Sequence, residues 1–149
     1  MIKIAVMLEL IGSYGRDTLK GVMEFANLRS DWEFIKPPMY TLAASKWDEW
    51  KQADGIVTMV HAVSTLNRFR SSGIPLVNTA RTLSARQLHD LKVPTVLPDD
   101  NAIGKMAFDY LYDRQFRTFG FCGHPTASWS LVRRNAFAEE CQLWAGQQS

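Results

Sequence analysis

Hydrophobic and polar positions along this chain alternate between two rhythms. Residues Ile2 to Leu8 form a near-continuous apolar run containing Ile and Val, the mark of a strand buried on both faces of a parallel sheet. Past the loop Leu10-Ile11-Gly12-Ser13-Tyr14-Gly15, apolar Leu19, Val22, Met23 and Ala26 recur at the spacing of an amphipathic helix. Gly21 lies inside that helix. An interior glycine costs about 1 kcal/mol against alanine, so its place there implies a close approach of helix to sheet. Trp32-Glu33-Phe34-Ile35 reads as a second strand ended by Pro37-Pro38, since proline cannot continue a central ladder. A short helix is expected around Ser45 to Lys51, with Trp47 and Trp50 one turn apart. The turn Asp54-Gly55 then leads into a third strand, Ile56 to Val60.

A helix from Ala62 to Ser71 carries Val63, Leu66 and Phe69, and Ser71-Ser72-Gly73 stops it. Ile74 to Asn78 is a fourth strand with Pro75 near its start, where a missing donor is tolerated. After a polar stretch, Val93 to Leu97 reads as a short fifth strand. Asp99 or Asp100 then caps a helix bearing Ile103, Met106, Ala107, Tyr110 and Leu111. Thr118 to Cys122 is a sixth strand, and Ser128 caps a last helix with Val132, Ala136, Phe137, Cys141 and Trp144 on one face. The end, Gly146-Gln147-Gln148-Ser149, reads as frayed. Strands alternating with helices imply an α/β fold, a doubly wound parallel sheet with helices on both faces. In such sheets the ligand site lies at the carboxyl ends of the strands, near the switch point in strand order.

Composition narrows this to one domain, or one domain with a fragment of a second. The 149 residues are 46% hydrophobic and 11% aromatic against 21% charged, enough to bury about 68–70% of the unfolded surface, which excludes disorder of the whole. The 17 Lys+Arg against 15 Asp+Glu leave a net charge of +2. The basic residues come in ones and twos, so this stretch is not expected to read DNA itself. The apolar N-terminus is too short for a membrane span and lacks the regions of a signal peptide. A cytoplasmic location and no membrane partner are therefore expected. Cys122 and Cys141 fit neither a CxxC nor a zinc spacing and are expected to be reduced, buried as small hydrophobes.

The chemistry that can be excluded is as informative. Gly12-Ser13-Tyr14-Gly15, after the first strand, is neither GxGxxG nor a phosphate loop. No GxSxG elbow is present, and His61, His89 and His124 form no HxxxH or HExxH pair. No metal, no cofactor and no catalytic group are expected. His61 follows a strand and reads either as a cleft residue or as a surface-loop histidine. Asp99-Asp100 resembles the acidic pair of phosphorelay receivers. The aspartate and lysine that a receiver needs after its third and fifth strands are here Val60-His61 and Leu97-Pro98-Asp99. What remains is a set of hydrogen-bonding side chains, Tyr14, Arg16, Asn78, Arg81, Asp100 and Asn101. Carboxylates, guanidinium groups and a stacking aromatic suit a sugar, whose ring faces are apolar and whose edges are dense in donors and acceptors. Singly, each residue reads more readily as a surface ion pair or a helix cap.

Several of these segments taken together resemble the effector-binding domain of the lactose- and galactose-repressor type, related to periplasmic sugar-binding proteins. The residues that carry the resemblance are Ile2 to Leu8, Gly21-Val22, Ile74-Pro75-Leu76-Val77, Asp100-Asn101, Phe119-Gly120-Phe121-Cys122-Gly123, and Arg133 with Ala136-Phe137. Tyr14-Gly15-Arg16, Asp31-Trp32-Glu33, Asp54-Gly55-Ile56-Val57 and Trp129 narrow it to the xylose-operon-regulator group, in which the sensing domain is N-terminal and an AraC-type helix-turn-helix domain follows. The resemblance implies a flavodoxin-like first lobe of a type I periplasmic-binding-protein-like domain over residues 1–117. Residues 118–149 would be the first strand-helix unit of a second lobe. It implies a xylose or other pentose ligand held by Arg16, Asp100 and Arg133, with Tyr14 or Trp129 covering the ring. It also implies a homodimer, DNA contact only through a separate C-terminal domain, and binding in place of catalysis. A chain carrying half the cleft is expected to bind sugar weakly or not at all. Phe119, Phe121, Phe137 and Trp144 are expected to pack on the first lobe's sheet edge or on another copy. The competing reading is a small flavodoxin-like enzyme or electron carrier with a nucleotide-type cofactor. A secreted transport protein would need an export signal that the sequence does not show.

Overall fold

Four parallel strands build the sheet: β1 (Ile2–Met7), β2 (Trp32–Ile35), β3 (Gly55–Thr58) and β4 (Leu76–Asn78), in the order β2-β1-β3-β4. The computed structural model describes residues 1–29, 31–35, 48–80, 83 and 85–147. The chain forms two compact units, Met1–Val96 and Leu97–Ser149, and the sheet belongs to the first.

Strand β1 is central because both of its faces are apolar. Ile4, Val6 and Leu8 form one buried cluster with Leu19 and Val22 of α1 (Ser13–Asn27). Ala5 and Met7 form another on the opposite face with Leu66 and Phe69 of α2 (Val63–Arg70), Leu91 of α3 (Ala85–Leu91) and Trp50. Helices therefore cover both faces, and the sheet is doubly wound as the apolar runs predict. Trp50 sits in a short 3-10 turn, Glu49–Gln52, with its ring edge-on to Phe69 at 4.8 Å. That turn is what the described residues show of the short helix expected around Ser45 to Lys51, of which residues 45–47 lie outside them. Pro37-Pro38 and Trp47 lie outside the described residues.

The expected fifth strand contracts to one parallel bridge, Asn78 to Thr95. The Asn78 N–H donates to the Pro94 carbonyl at 2.9 Å, and the Val96 N–H donates back to the Asn78 carbonyl at 3.0 Å. Pro94 and Pro98 lack the N–H needed to extend the ladder on either side. The polar stretch before it hides α3, whose sequence ARQLHDL carries too little apolar periodicity to announce a helix.

Helix α1 starts at Ser13, inside the expected loop, so Ser13, Tyr14 and Gly15 belong to its first turn. Gly21 is exposed, and a Cβ there meets nothing within 4 Å among the described residues, which corrects the expected close approach at that position. The close approach is at Gly15, where a Cβ would fall 1.7 Å from the Glu9 carbonyl oxygen. Only glycine lets the first turn of α1 sit on the chain leaving β1.

The second unit is a helix pair, α4 (Asp100–Asp113) and α5 (Ser128–Gly146). Among the described residues, 118–122 form no strand. Phe119 instead stacks among Phe108, Phe137 and Trp144, and Tyr112 meets Trp144 edge-on. Phe119 thus finds partners on both α4 and α5, and Phe121 meets Phe137 of α5. Ser128 is not the cap of α5. The cap position is Ala127, and the His124 ring accepts the Thr126 and Ala127 N–H groups through Nδ1. Cys122 is exposed and Cys141 half-buried, so the expectation that both are buried fails. No described helix is long and apolar enough to cross a membrane.

Candidate functional site

In a parallel sheet of this order the strand order reverses between β1 and β3, and the crevice for a ligand opens beyond their carboxyl ends. Glu9, just past β1, and His61, just past β3, meet there, with Oε2 and Nε2 3.4 Å apart. Both side chains are partly exposed. This favours the cleft reading of His61. Glu9 was not singled out from the sequence, although a carboxylate directly after an apolar strand was a visible signal.

Three of the expected ligand residues surround this end of the sheet, each with a partner. The Tyr14 hydroxyl donates to the Thr79 carbonyl at 2.9 Å, linking the first turn of α1 to the chain leaving β4. Arg16 donates from Nη1 to the Leu10 and Ile11 carbonyls at 3.1 and 2.6 Å, and so holds the loop that precedes its own helix. Asn78 is fully buried and hydrogen-bonded to Val60 and Ala80. Arg81 lies outside the described residues, and Asn101 is exposed on α4.

In the second unit, Asp100, Arg133 and Trp129 come together. Asp99 is the N-cap of α4, its carboxylate accepting the Ala102 N–H at 3.0 Å, as the preference for Asp at that position requires. Asp100 is thereby placed as the first helical residue and turned inward, where its side chain is fully buried. Arg133 Nε donates to its Oδ1 at 2.7 Å, a charge-assisted bond of the short kind. The same guanidinium lies 5.1 Å from the Trp129 ring centroid, in the range of a cation–π contact. One turn of α5 separates Trp129 from Arg133, so the helix itself sets that pairing.

The close crossing of α4 and α5 holds this trio. A Cβ on Gly104 would lie 2.5 Å from the Arg133 carbonyl oxygen and 2.8 Å from Ala136 Cβ, so the backbones touch one turn from Asp100. A cavity of about 250 Å³ opens beside it, lined by Ile103, Gly104, Ala107, Phe121, Arg133 and Phe137 among others. Gly104 was not recognised from the sequence, since a glycine in a helical run carries no mark of what packs on it. Among the described residues no group of three or more His, Cys, Asp or Glu side chains is placed to hold a metal.

No known family's sequence model matches the chain, and no curated protein does. Solved structures do share its fold. The xylose-binding transcription activator xylR superposes with a TM-score of 0.70 at 18% identity, over 94% of this chain and 35% of its own. A periplasmic solute-binding protein of an ABC transporter from Actinobacillus succinogenes 130z, with bound D-allose, gives 0.71 at 15% identity over 95% and 55%. The transcription regulator CcpA of Lactococcus lactis gives 0.67 at 18% identity over 98% and 55%. The chain thus spans between about a third and just over half of each. At these identities the likeness is one of fold, the α/β architecture that this chain shares with these two transcription regulators and the periplasmic solute-binding protein.

Proposed function

We propose that this chain is a sugar-sensing part of a transcription regulator, acting by binding and not by catalysis. The observation that carries the reading is the Asp100–Arg133–Trp129 constellation, a buried carboxylate, a guanidinium and an indole held together by the crossing of α4 and α5. It offers acceptor, donor and apolar face within one small region, the combination a polyol needs. The fold shared with xylR and with the D-allose-bound protein supports the same reading. In this proposal the ligand is xylose or another pentose. Arg16, Asp100 and Arg133 are its polar contacts, and Tyr14 or Trp129 is its stacking partner. Residues 1–117 act as a first lobe and 118–149 open a second. DNA contact belongs to a separate AraC-type domain, and the working form is a cytoplasmic homodimer.

The flavin or nucleotide alternative fares worse on charge. The Glu9 carbonyl lies against the first turn of α1, and its partial negative charge opposes the phosphate that such a helix N-terminus would otherwise attract. The test is an NMR titration of the chain with D-xylose, L-arabinose and D-glucose to 50-fold excess. Of the two outcomes expected of half a cleft, weak binding and none, the proposal commits to the first: millimolar binding, with shifts at the Trp129 indole N–H and at Arg133 Nε–H. No shift at either position with any of the three sugars, or a flavin carried through purification, refutes it.

A further inference from the structure

Asn78 is an amide where the surrounding strand is aliphatic. It ends Leu76-Val77-Asn78, with 0% of its surface exposed, at a depth where packing alone favours another apolar residue. Burying an amide costs free energy unless its hydrogen bonds are made inside the protein. Here they are made, and all to backbone. Oδ1 accepts the Val60 N–H at 3.2 Å and the Ala80 N–H at 3.4 Å, while Nδ2 donates to the Ala80 carbonyl at 3.2 Å. One side chain therefore fastens the segment leaving β3 to the segment leaving β4.

Those two segments carry the groups that face the crevice. Val60 precedes His61, which pairs with Glu9 beyond β1. Ala80 follows Thr79, whose carbonyl receives the Tyr14 hydroxyl and whose N–H donates to the Thr58 carbonyl at 2.8 Å. Through these neighbours Asn78 reaches three of the four strands' carboxyl ends without touching the crevice itself.

We propose that Asn78 is a positioning residue that sets the carboxyl-end rim, holding His61 and the Thr79 carbonyl in register for whatever ligand the crevice takes. That this ligand is a sugar rests on the function proposed above; the placement of the rim does not. An aliphatic residue at 78 would pack as well but would leave the Val60 and Ala80 amides to find water, so the rim loosens before the sheet does.

Residue-resolved hydrogen exchange on this chain tests it. In Asn78→Leu, the Val60 and Ala80 amides exchange at least tenfold faster relative to the β1 amides of Ala5 and Val6. Phe69→Leu, a core change on α2, speeds all four in proportion. Proportional acceleration in Asn78→Leu overturns the positioning role. Should that variant not fold, the unsubstituted chain decides. Val60 and Ala80 exchange through one shared opening, with the same denaturant slope, if one side chain holds both, and two separate openings overturn the proposal. Spectra with D-xylose separate this from the sugar reading. Sugar-induced shifts at Tyr14 and His61 that persist unchanged in Asn78→Leu overturn the positioning role. A chain that shows no sugar-induced shift anywhere refutes the sugar reading and leaves Asn78 to the exchange result.

Discussion

Replacing Gly104 by alanine tests the helix crossing on which the proposed site depends. The new Cβ would lie 2.5 Å from the Arg133 carbonyl oxygen, 2.8 Å from Ala136 Cβ and 3.1 Å from Phe137 N. Carbon–carbon contacts are comfortable at about 3.5–4.0 Å, so α4 and α5 must part by about 1 Å. Two terms oppose each other. Alanine gains about 1 kcal/mol of helix propensity over glycine, while overpacking of a tight contact costs about 1–3 kcal/mol. A gap of that size also forfeits about a quarter to a half of the dispersion attraction across it. The facing surface is the ring cluster of Phe108, Phe119 and Phe137. Loss outweighs gain, and the expected result is a net destabilisation of about 1–2 kcal/mol. Gly21→Ala is the matched control. It makes the same change within a helix at an exposed position with nothing within 4 Å among the described residues, so it should stabilise by about 1 kcal/mol. Urea unfolding read by circular dichroism gives both values. Stabilisation of equal size in the two variants would mean that the helices do not touch at Gly104, and the account of how Asp100 meets Arg133 would fall with it.

Gln115 adopts a positive φ of 67° and closes α4, with its N–H donating to the Tyr112 carbonyl and the Phe116 N–H to that of Leu111, the two hydrogen bonds of a Schellman ending. Gln115→Gly should therefore raise stability by about 1 kcal/mol, seen as a higher urea midpoint; an unchanged or lower midpoint refutes it. Arg133→Met removes the guanidinium from a fully buried carboxylate. Breaking such a pair costs about 3–5 kcal/mol when both partners are buried, and the 32% exposure of the Arg133 side chain reduces this to about 2–3. Adding Asp100→Leu should recover most of the loss in a double-mutant cycle, and additive losses would show that the pair is not coupled. Burial raises the pKa of the Cys141 thiol, so less of it is thiolate at pH 8. Iodoacetamide should label exposed Cys122 at least tenfold faster, by peptide mass spectrometry, and equal rates refute this. The Lys105 ammonium is held above its ordinary range by its hydrogen bond to Glu140 on the facing helix. Any stabilisation from that pair is present through neutral pH and lost only as alkali passes the raised value. A Lys105→Met melting difference already absent at neutral pH contradicts it.

Of the fold, what was legible in the sequence is what strand burial writes directly. Ile4 to Leu8 is apolar on both faces because helices cover both, and that doubly wound sheet is what the structure shows. Elements held by contacts distant in sequence were not legible. The fifth strand read well as Val93 to Leu97, but a strand exists only where its ladder closes, and prolines on either side of Thr95 limit it to one bridge. The sixth failed for a related reason. Phe119 and Phe121 fit an alternating strand, and their rings pack instead on the helix pair, against Phe108 and Phe137. Periodicity identified the apolar residues correctly and could not say which surface would receive them.

Asp99 and Asp100 show the same limit at the scale of one residue, and it decides what the candidate site is made of. Both acids suit a helix start, and neither propensity nor spacing separates the cap from the residue after it. Geometry separates them. A cap must leave the helix with extended backbone, and Asp99 does so with ψ of 96° while its carboxylate turns back to the Ala102 N–H. The next side chain then points along the helix flank, toward whatever packs there, and what packs there is α5 at the distance only Gly104 permits. Arg133 meets Asp100 because of that spacing, and Trp129 meets Arg133 because α5 places it one turn earlier. Shift the cap by one residue and the buried acid rotates by about 100° around α4, off the face that α5 covers. The proposed sugar contacts on this unit are thus a consequence of one capping bond and one glycine, neither of which is itself a contact.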